Sequence, residues 1–447
     1  MQHALRPSLL SALALALVLT LPPLGSAQSP AGDSLSLRDS LDIALKANLG
    51  IKRSLEEISA AEALRHQSMT RFLPSMGSSY SAIYRNEERT SPSLITGRPI
   101  VSSPQDQYTF TTSFTQPIFT GFNILTEYQL NELGLDRAEV SAKLTRQDVI
   151  LDTKNAFFSV LKNQKLLDVA QQTVTSISAQ KDVSENFYKV GLSPLNDLLQ
   201  SQVQLANARQ TLTIAQNNLE IARTNFNTVL RRPLSTPVLL VEEVEIEPFA
   251  LNLDDCFAQA QRNRLELQVA DVDIDIAGKQ VKQSEKDYYP TVNLVGQYFR
   301  TGDDWRAHSG EGISDSAGWN VSATATWEFF QWGRTGYGRK EKLSRVTQSR
   351  YSKAQLTDTI NQEVKQSYLR TREAEQNIRT IEKAVEQSKE NLRITEEQYK
   401  EQVATQTDVL VAQTLVTQTM TNYFNSLYDY KIAKSVLLRA IGQEVLE

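Results

Sequence analysis

The chain has 447 residues, a formal net charge of −5 and 22% charged residues. That mild acidity leaves no footprint for a nucleic-acid partner, and three His and four Met offer little to a soft-metal site. The single cysteine, Cys256, excludes an internal disulfide, so stability must come from packing or assembly.

Arg6 precedes an apolar run from Leu9 to Leu21, and Gly25-Ser26-Ala27 suits cleavage before Gln28. Residues 1–27 therefore read as a signal peptide. The competing reading, a membrane anchor, needs about 20 apolar residues, more than the run supplies. No cysteine stands at the mature N-terminus to carry a lipid. No later stretch is long and apolar enough for a spanning helix, so a membrane crossing would have to be a β-barrel.

From there the chain reads as two copies of one unit. Leu35-Ser36-Leu37-Arg38-Asp39 matches Leu251-Asn252-Leu253-Asp254-Asp255 at an offset of 251 − 35 = 216, which also joins Ala44 to Ala260 and Pro74 to Pro290. Further on the offset is 211: Tyr188-Lys189 meets Tyr399-Lys400, Asp197 meets Asp408, Leu199 meets Leu410, Gln202 meets Gln413 and Ala222 meets Ala433. One small indel that keeps this order marks a duplication. The first unit spans 34–233, an acidic, Pro-containing connector expected to be extended spans 234–250, and the second unit spans 251–442. Each carries a helix, an alternating segment, a loop, a second alternating segment, a very long helix, a tight tip and a returning helix.

The alternating segments fall at about 75–85, 108–118, 291–300 and 319–329. In the last, Trp319, Val321, Ala323, Ala325, Trp327 and Phe329 oppose Asn320, Ser322, Thr324, Thr326 and Glu328. Period-two alternation predicts strands with one apolar face. Aromatics gather at both strand ends, as in outer-membrane barrels. The loops Arg85–Gln107 and Thr301–Gly318 are long and polar, suiting the extracellular side. A soluble sheet packed on the helices is the competing reading, but it does not explain long polar loops on one side only. Four strands cannot close a barrel, whose smallest single-chain forms have about eight. Shared among chains, two copies would give about eight strands in a side-chain-filled barrel and three would give about twelve around an open bore.

Phe122 to Lys189 predicts a helix about 100 Å long at about 1.5 Å per residue. It turns at Val190-Gly191-Leu192-Ser193-Pro194. The returning helix carries Leu198, Leu205, Leu212, Leu219 and Phe226 at seven-residue spacing, beside a second stripe of Ala208, Ala215, Ala222 and Val229. Its counterpart carries Val409, Val416, Tyr423, Tyr430 and Leu437. Heptad spacing gives coiled-coil seams, and two stripes on one helix suggest neighbours on both sides, as in a ring. The remaining face, with Gln202, Gln216, Asn217 and Thr224, suits water. An ordinary one-seam bundle is the alternative.

These residues carry a resemblance to TolC-like outer membrane efflux proteins over essentially the whole mature length. It rests on the duplicated Leu-x-Leu-x-Asp starts, Phe72-Leu73-Pro74 and Tyr288-Tyr289-Pro290 before strands, and Gln116-Pro117-Ile118-Phe119-x-Gly121 after one. Tyr188-x-Val190-Gly191-x-Ser193-x-x-x-Asp197 is similar to the family's helix tip, and Ala433–Gly442 to its closing segment. The resemblance implies a mostly α fold with a β-barrel portion. A homotrimer would form a twelve-stranded barrel in outer-membrane lipid, continuous with a twelve-helix coiled-coil tube across the periplasm. It implies the unacylated branch of the family and a passive export duct of a tripartite efflux or type I secretion system. The partners would be a periplasmic adaptor (membrane fusion) protein and an inner-membrane transporter, with no cofactor.

The resemblance also places an iris-like gate at the periplasmic tips. Tyr399 and Asp197 would hold it shut, and an acidic ring at the entrance would include Asp408. The family's glycine is kept at the first tip as Gly191 but is Gln402 at the second, its arginine is Ala404 and a second ring aspartate is Val411. The resemblance therefore implies either fewer ionic locks at the gate or the use of Glu401, Glu397 or Glu396 in their place. Asp197 has a plain alternative as a first-turn acid and Tyr399 as seam packing. A structural or adhesive coiled-coil envelope protein is the second functional reading. An enzyme is the third, and no Ser/His/Asp or metal constellation supports it. Gly333-x-x-Gly336-x-Gly338 lacks the strand–helix–strand setting of a phosphate loop.

Overall fold

A computed structural model describes residues 34–92, 97, 99–241, 248–308 and 316–444. The expected signal peptide at 1–27 lies outside the described residues, as does part of the connector at 242–247. The first unit contains α1 (Leu37–Ala47), α2 (Leu49–Thr70), β1 (Ser75–Tyr84), β2 (Arg89–Pro92), β3 (Pro99–Ser103), β4 (Asp106–Thr120), α3 (Asn123–Lys189) and α4 (Leu195–Val229). The second contains α5 (Leu253–Asn263), α6 (Leu265–Ser284), β5 (Thr291–Gly302), β6 (Ser316–Thr326), α7 (Arg334–Lys400) and α8 (Gln406–Ala440).

The duplication is kept in the backbone. α3 and α7 each run 67 residues, and α4 and α8 each run 35. In the sheet, Ser75 opposite Thr115 becomes Thr291 opposite Thr326, and Tyr84 opposite Asp106 becomes Arg300 opposite Ala317. Left-handed residues also recur at an offset of 211, each pair holding one glycine: Gly121 and Trp332, Phe122 and Gly333, Gly191 and Gln402, Arg231 and Gly442.

The main sheet is antiparallel, in the order β1-β4-β5-β6. The helices joined to those strands pack in the same order, α2-α3-α6-α7. Toward the tips α4 and α8 take over from α2 and α6, giving the order α4-α3-α8-α7. The result is a wall one helix thick, with β1 and β6 unpaired at its two edges.

The heptad residues form the seams. Leu198, Leu205, Leu219 and Phe226 are buried on α4, and Val409, Val416, Tyr430 and Leu437 on α8. Gln202, Gln216 and Asn217 face out. Midway along, α1 lays Ala44 on a cluster with Phe157, Phe158, Leu219, Phe226 and Tyr428. α5 likewise packs Cys256 and Ala260 on Ile360, Val364 and Leu437. A fully buried Phe or Leu side chain contributes roughly 1.5–3 kcal/mol, so these two clusters anchor the long helices at mid-height.

Three features differ from the sequence reading. The opening helix of each unit is broken in two at Asn48 and Arg264, which share an extended conformation. Asn48 caps α2 by accepting from the Gly50 and Ile51 amides. Arg264 instead donates to the carbonyls of Arg439 and Ala440 at the end of α8 and pairs with Glu363 at 2.8 Å. The loop after β1 holds a hairpin, β2–β3. β6 ends at Thr326 rather than near 329, because β5 begins opposite it at Thr291 and offers nothing further to pair with. The described part of the connector folds back, pairing Leu240 in parallel with Leu35.

Candidate functional site at the helix tips

Both tips close with the same Schellman geometry. At the first, the Gly191 amide donates to Tyr188 O at 3.0 Å and the Leu192 amide to Phe187 O at 2.8 Å. At the second, Gln402 donates to Tyr399 O at 3.0 Å and Val403 to Gln398 O at 2.8 Å. Gly191 has φ +77° and Gln402 φ +62°. The motif requires a left-handed residue there, so Gln402 holds a conformation that costs a side-chain-bearing residue about 1–2 kcal/mol.

The returning helices start differently. Thr405 caps α8: its amide and hydroxyl both donate to Asp408 Oδ2, at 2.8 and 2.6 Å, and the Asp408 amide donates back to Thr405 Oγ1 at 3.2 Å. This capping box holds the Asp408 carboxyl below the usual aspartate range, the Thr405 hydroxyl contributing most. At the first tip the cap position is Pro194, whose side chain makes no cap bond. Asp197 therefore sits in the first turn without that partner.

Tyr399 is 5% exposed and stacks on Phe187 of α3 with ring centroids 5.5 Å apart. Its counterpart Tyr188 is 42% exposed. Burial pushes the Tyr399 hydroxyl up, and the nearby Asp197 charge pushes it the same way. Ser184 lies close enough to ease that shift, yet its hydroxyl donates to Gln180 O and accepts from Ser201, and the Tyr399 hydroxyl has no bond of ordinary geometry. The structure thus brings Tyr399 within electrostatic reach of Asp197.

The other acidic candidates are spread out. Glu397 is exposed and pairs with Lys400 at 3.3 Å; Glu401 is exposed at the end of α7. Glu396 is half-buried, and burial raises its carboxyl. Glu185, held down to about 2 by Lys189 and Lys181, faces the same end of α3.

A polar knot that the sequence reading missed ties the two hairpins together. Gln406, 1% exposed, donates to Ser201 Oγ at 2.8 Å and accepts from Gln180 at 2.7 Å. Ser201 in turn donates to Ser184 Oγ at 3.2 Å and Asp197 O at 3.0 Å. Its one trace in the sequence is that Gln406 stands where the first unit has Leu195. Among the described residues no group of His, Cys, Asp and Glu could hold a metal ion, and no helix is long and apolar enough to cross a membrane.

A four-stranded sheet whose strands pass in order into long helical hairpins, ending in tips that expose Val190, Leu192 and Val403, defines the architecture. The chain belongs to the outer membrane efflux protein family, whose sequence profile matches residues 41–230 and 257–443. It is similar to outer membrane protein TolC of Escherichia coli strain K12, at 22% identity over 89% of this chain and 80% of the relative. Outer membrane protein TolC of Vibrio cholerae is 24% identical over 69% of this chain and 73% of its own length. The fold is shared with the Vibrio cholerae outer membrane protein VceC (TM-score 0.76, 17% identity, 91% of this chain and 96% of that one). The Campylobacter jejuni CmeC outer membrane channel is equally alike (TM-score 0.77, 16% identity, 91% and 85%). The chain is an efflux channel of the outer membrane that extends into the periplasm.

Proposed function

We propose that three copies of this wall close into a twelve-stranded barrel and a twelve-helix tube, which conducts cargo passively from an inner-membrane transporter, through a periplasmic adaptor, to the exterior. A tripartite efflux or type I secretion system is the setting this reading implies. The observation that carries it is the shared order of strands and helices in a wall open at both edges, because lipid does not tolerate an unpaired strand edge. The two units, 34–233 and 251–442, then act as repeated segments of one ring.

The tips are the gate. Tyr399 packed on Phe187, with Asp197 beside it and the Gln406–Ser201 bond behind, holds the second hairpin against the first. Asp408, Glu397 and Glu401 supply exposed acid near the entrance, which favours cationic over anionic traffic. Protein extracted in detergent from outer membranes should run as a trimer and conduct weakly, with a preference for cations. Combining Asp197→Ala with Tyr399→Phe should raise its conductance. Unchanged conductance takes both residues out of the gate, and a soluble monomer ends the duct reading.

A further inference from the structure

The sheet has two unlike faces, and the start of the β5–β6 loop folds onto one of them. Tyr80, Phe110 and Arg300 stand opposite one another across β1, β4 and β5. Alternation along the strands puts them on the face of Met76, Phe114 and Leu294, while Ser79, Thr111, Ser113 and Gln297 take the other. A loop leaving the end of β5 could turn to either side. On the polar side it would constrict the mouth of a bore; on the apolar side it would lie against whatever covers that face.

Three contacts settle the side. The Tyr80 hydroxyl donates to Trp305 O at 2.5 Å. Arg300 Nη2 donates to His308 Nδ1, also at 2.5 Å. A Cβ on Gly302, two residues along from Arg300 and on the same face, would stand 2.1 Å from His308 O. Asp303–His308 therefore turns back along the strands over the apolar face, from β5 across β4 to β1. The turn is closed by its own bonds, Ala307 N–H to Asp304 O at 2.7 Å and Asp304 N–H to His308 O at 3.0 Å. Ala307 is 1% exposed and left-handed, at φ +55°, a conformation that persists only where the surroundings fix it. At the outermost point Trp305 is 65% exposed, with the Arg306 guanidinium 5.0 Å from its ring centroid.

Resting on the barrel reading above, in which the apolar face meets lipid, we propose that Asp303–His308 is a strap on the outside of the barrel that binds the outer leaflet at the boundary between headgroups and acyl chains. Trp305 is the anchor, because an indole sinks its ring beside acyl chains and keeps its N–H at the polar level. Arg306, stacked on that ring, lays its stem along the apolar surface and holds its charge at the depth of lipid phosphates. The acids Asp303 and Asp304 offset Arg306 and the adjoining Arg300, so the ring and its stacked cation make the contact rather than net charge. Gly302 decides the fold-back, since any side chain there displaces the His308 backbone.

Single-tryptophan chains test this in phosphatidylcholine vesicles doped with lipid that carries a nitroxide on its headgroup or its acyl chain. One chain keeps Trp305 and another keeps Trp319, which is 77% exposed on the apolar face, with phenylalanine at the remaining tryptophans. Trp305 should be quenched by the headgroup nitroxide and shielded from aqueous acrylamide. Gly302→Ala should lose that quenching and open Trp305 to acrylamide. Tyr80→Phe, which removes only the hydroxyl, should shift both readings the same way by less, and it carries the test should the Gly302 variant insert poorly. Trp305 open to acrylamide and spared by both nitroxides, while the acyl nitroxide quenches Trp319, overturns the strap and leaves the barrel standing. Quenching of Trp305 that neither substitution changes also overturns it. A Trp319 that no lipid nitroxide reaches removes the barrel reading and the strap together.

Discussion

The two tips share one backbone and differ in nearly every side chain that matters. Both end in the same pair of hydrogen bonds around a left-handed residue. The first has glycine at that residue, proline at the cap, and an exposed tyrosine; the second has glutamine, a threonine capping box, and a buried tyrosine. The first is thus relaxed in its turn and loose at the start of its returning helix. The second is strained in its turn and fastened on either side of it. A duplicated fold can keep its geometry while one copy becomes the structural post and the other the fastening.

The sharpest way to break that contrast is at the tyrosines. Tyr399→Ala should cost about 3 kcal/mol of local stability, in the range for removing a buried aromatic. Tyr188→Ala, at an exposed position, should change stability by no more than about 0.5 kcal/mol. Amide hydrogen exchange across Ser184–Ser201 would read both, and equal effects would show that the tips are fastened alike.

The turn residues come next. Gly191→Gln should weaken the first tip by about 1–2 kcal/mol. Gln402→Gly should relieve the second by less, since glycine also loses more chain entropy on folding. Exchange at the Leu192 and Val403 amides reports each turn, and a Gln402→Gly variant that exchanges faster would contradict strain at that site.

The smallest effect is at the cap. Thr405→Ala should destabilise the first turn of α8 by about 1 kcal/mol. It should also weaken a pH dependence, leaving the part carried by the residue 405 amide. The Asp408 carboxyl is depressed in the folded chain, so its stabilisation is present above about pH 4, the unfolded value, and is lost as the pH falls through the folded one. Below about pH 4, thermal melts should fall less steeply for Thr405→Ala than for the natural chain.

What could be read from the sequence was whatever repeats. Heptad leucines such as Leu205 and Leu219, the alternation around Val321 and Ala323, and the matched pair Asp197 and Asp408 announce seams, strands and tips through their periods. What could not be read depends on a single side chain choosing one partner among many. Asn48 breaks a helix by capping the next one, a role no periodicity reveals. Arg264 reaches the end of a helix 175 residues away, and Gln406 reaches Ser201 across the hairpins. The end of β6 was misplaced for another reason: Trp327 and Phe329 continue the alternation, but a strand extends only as far as it has a neighbour. For Asp408 the sequence offers an entrance acid by resemblance alone, and only the hydrogen bonds with Thr405 show that it completes a helix cap.

Any tilt of a hairpin about the mid-height clusters around Phe226 and Leu437 would be magnified at its tip. Beyond them each hairpin runs about 50 Å to its tip with one helix of thickness, judged from 35 residues in the returning helix at about 1.5 Å each. A tilt of about 6° at the clusters therefore carries the tip through about 5 Å, roughly the breadth of a tyrosine ring. The leverage runs inward as well. A substitution as slight as Ala260→Val, at a fully buried position in one of these clusters, would be read out, amplified, at the far end.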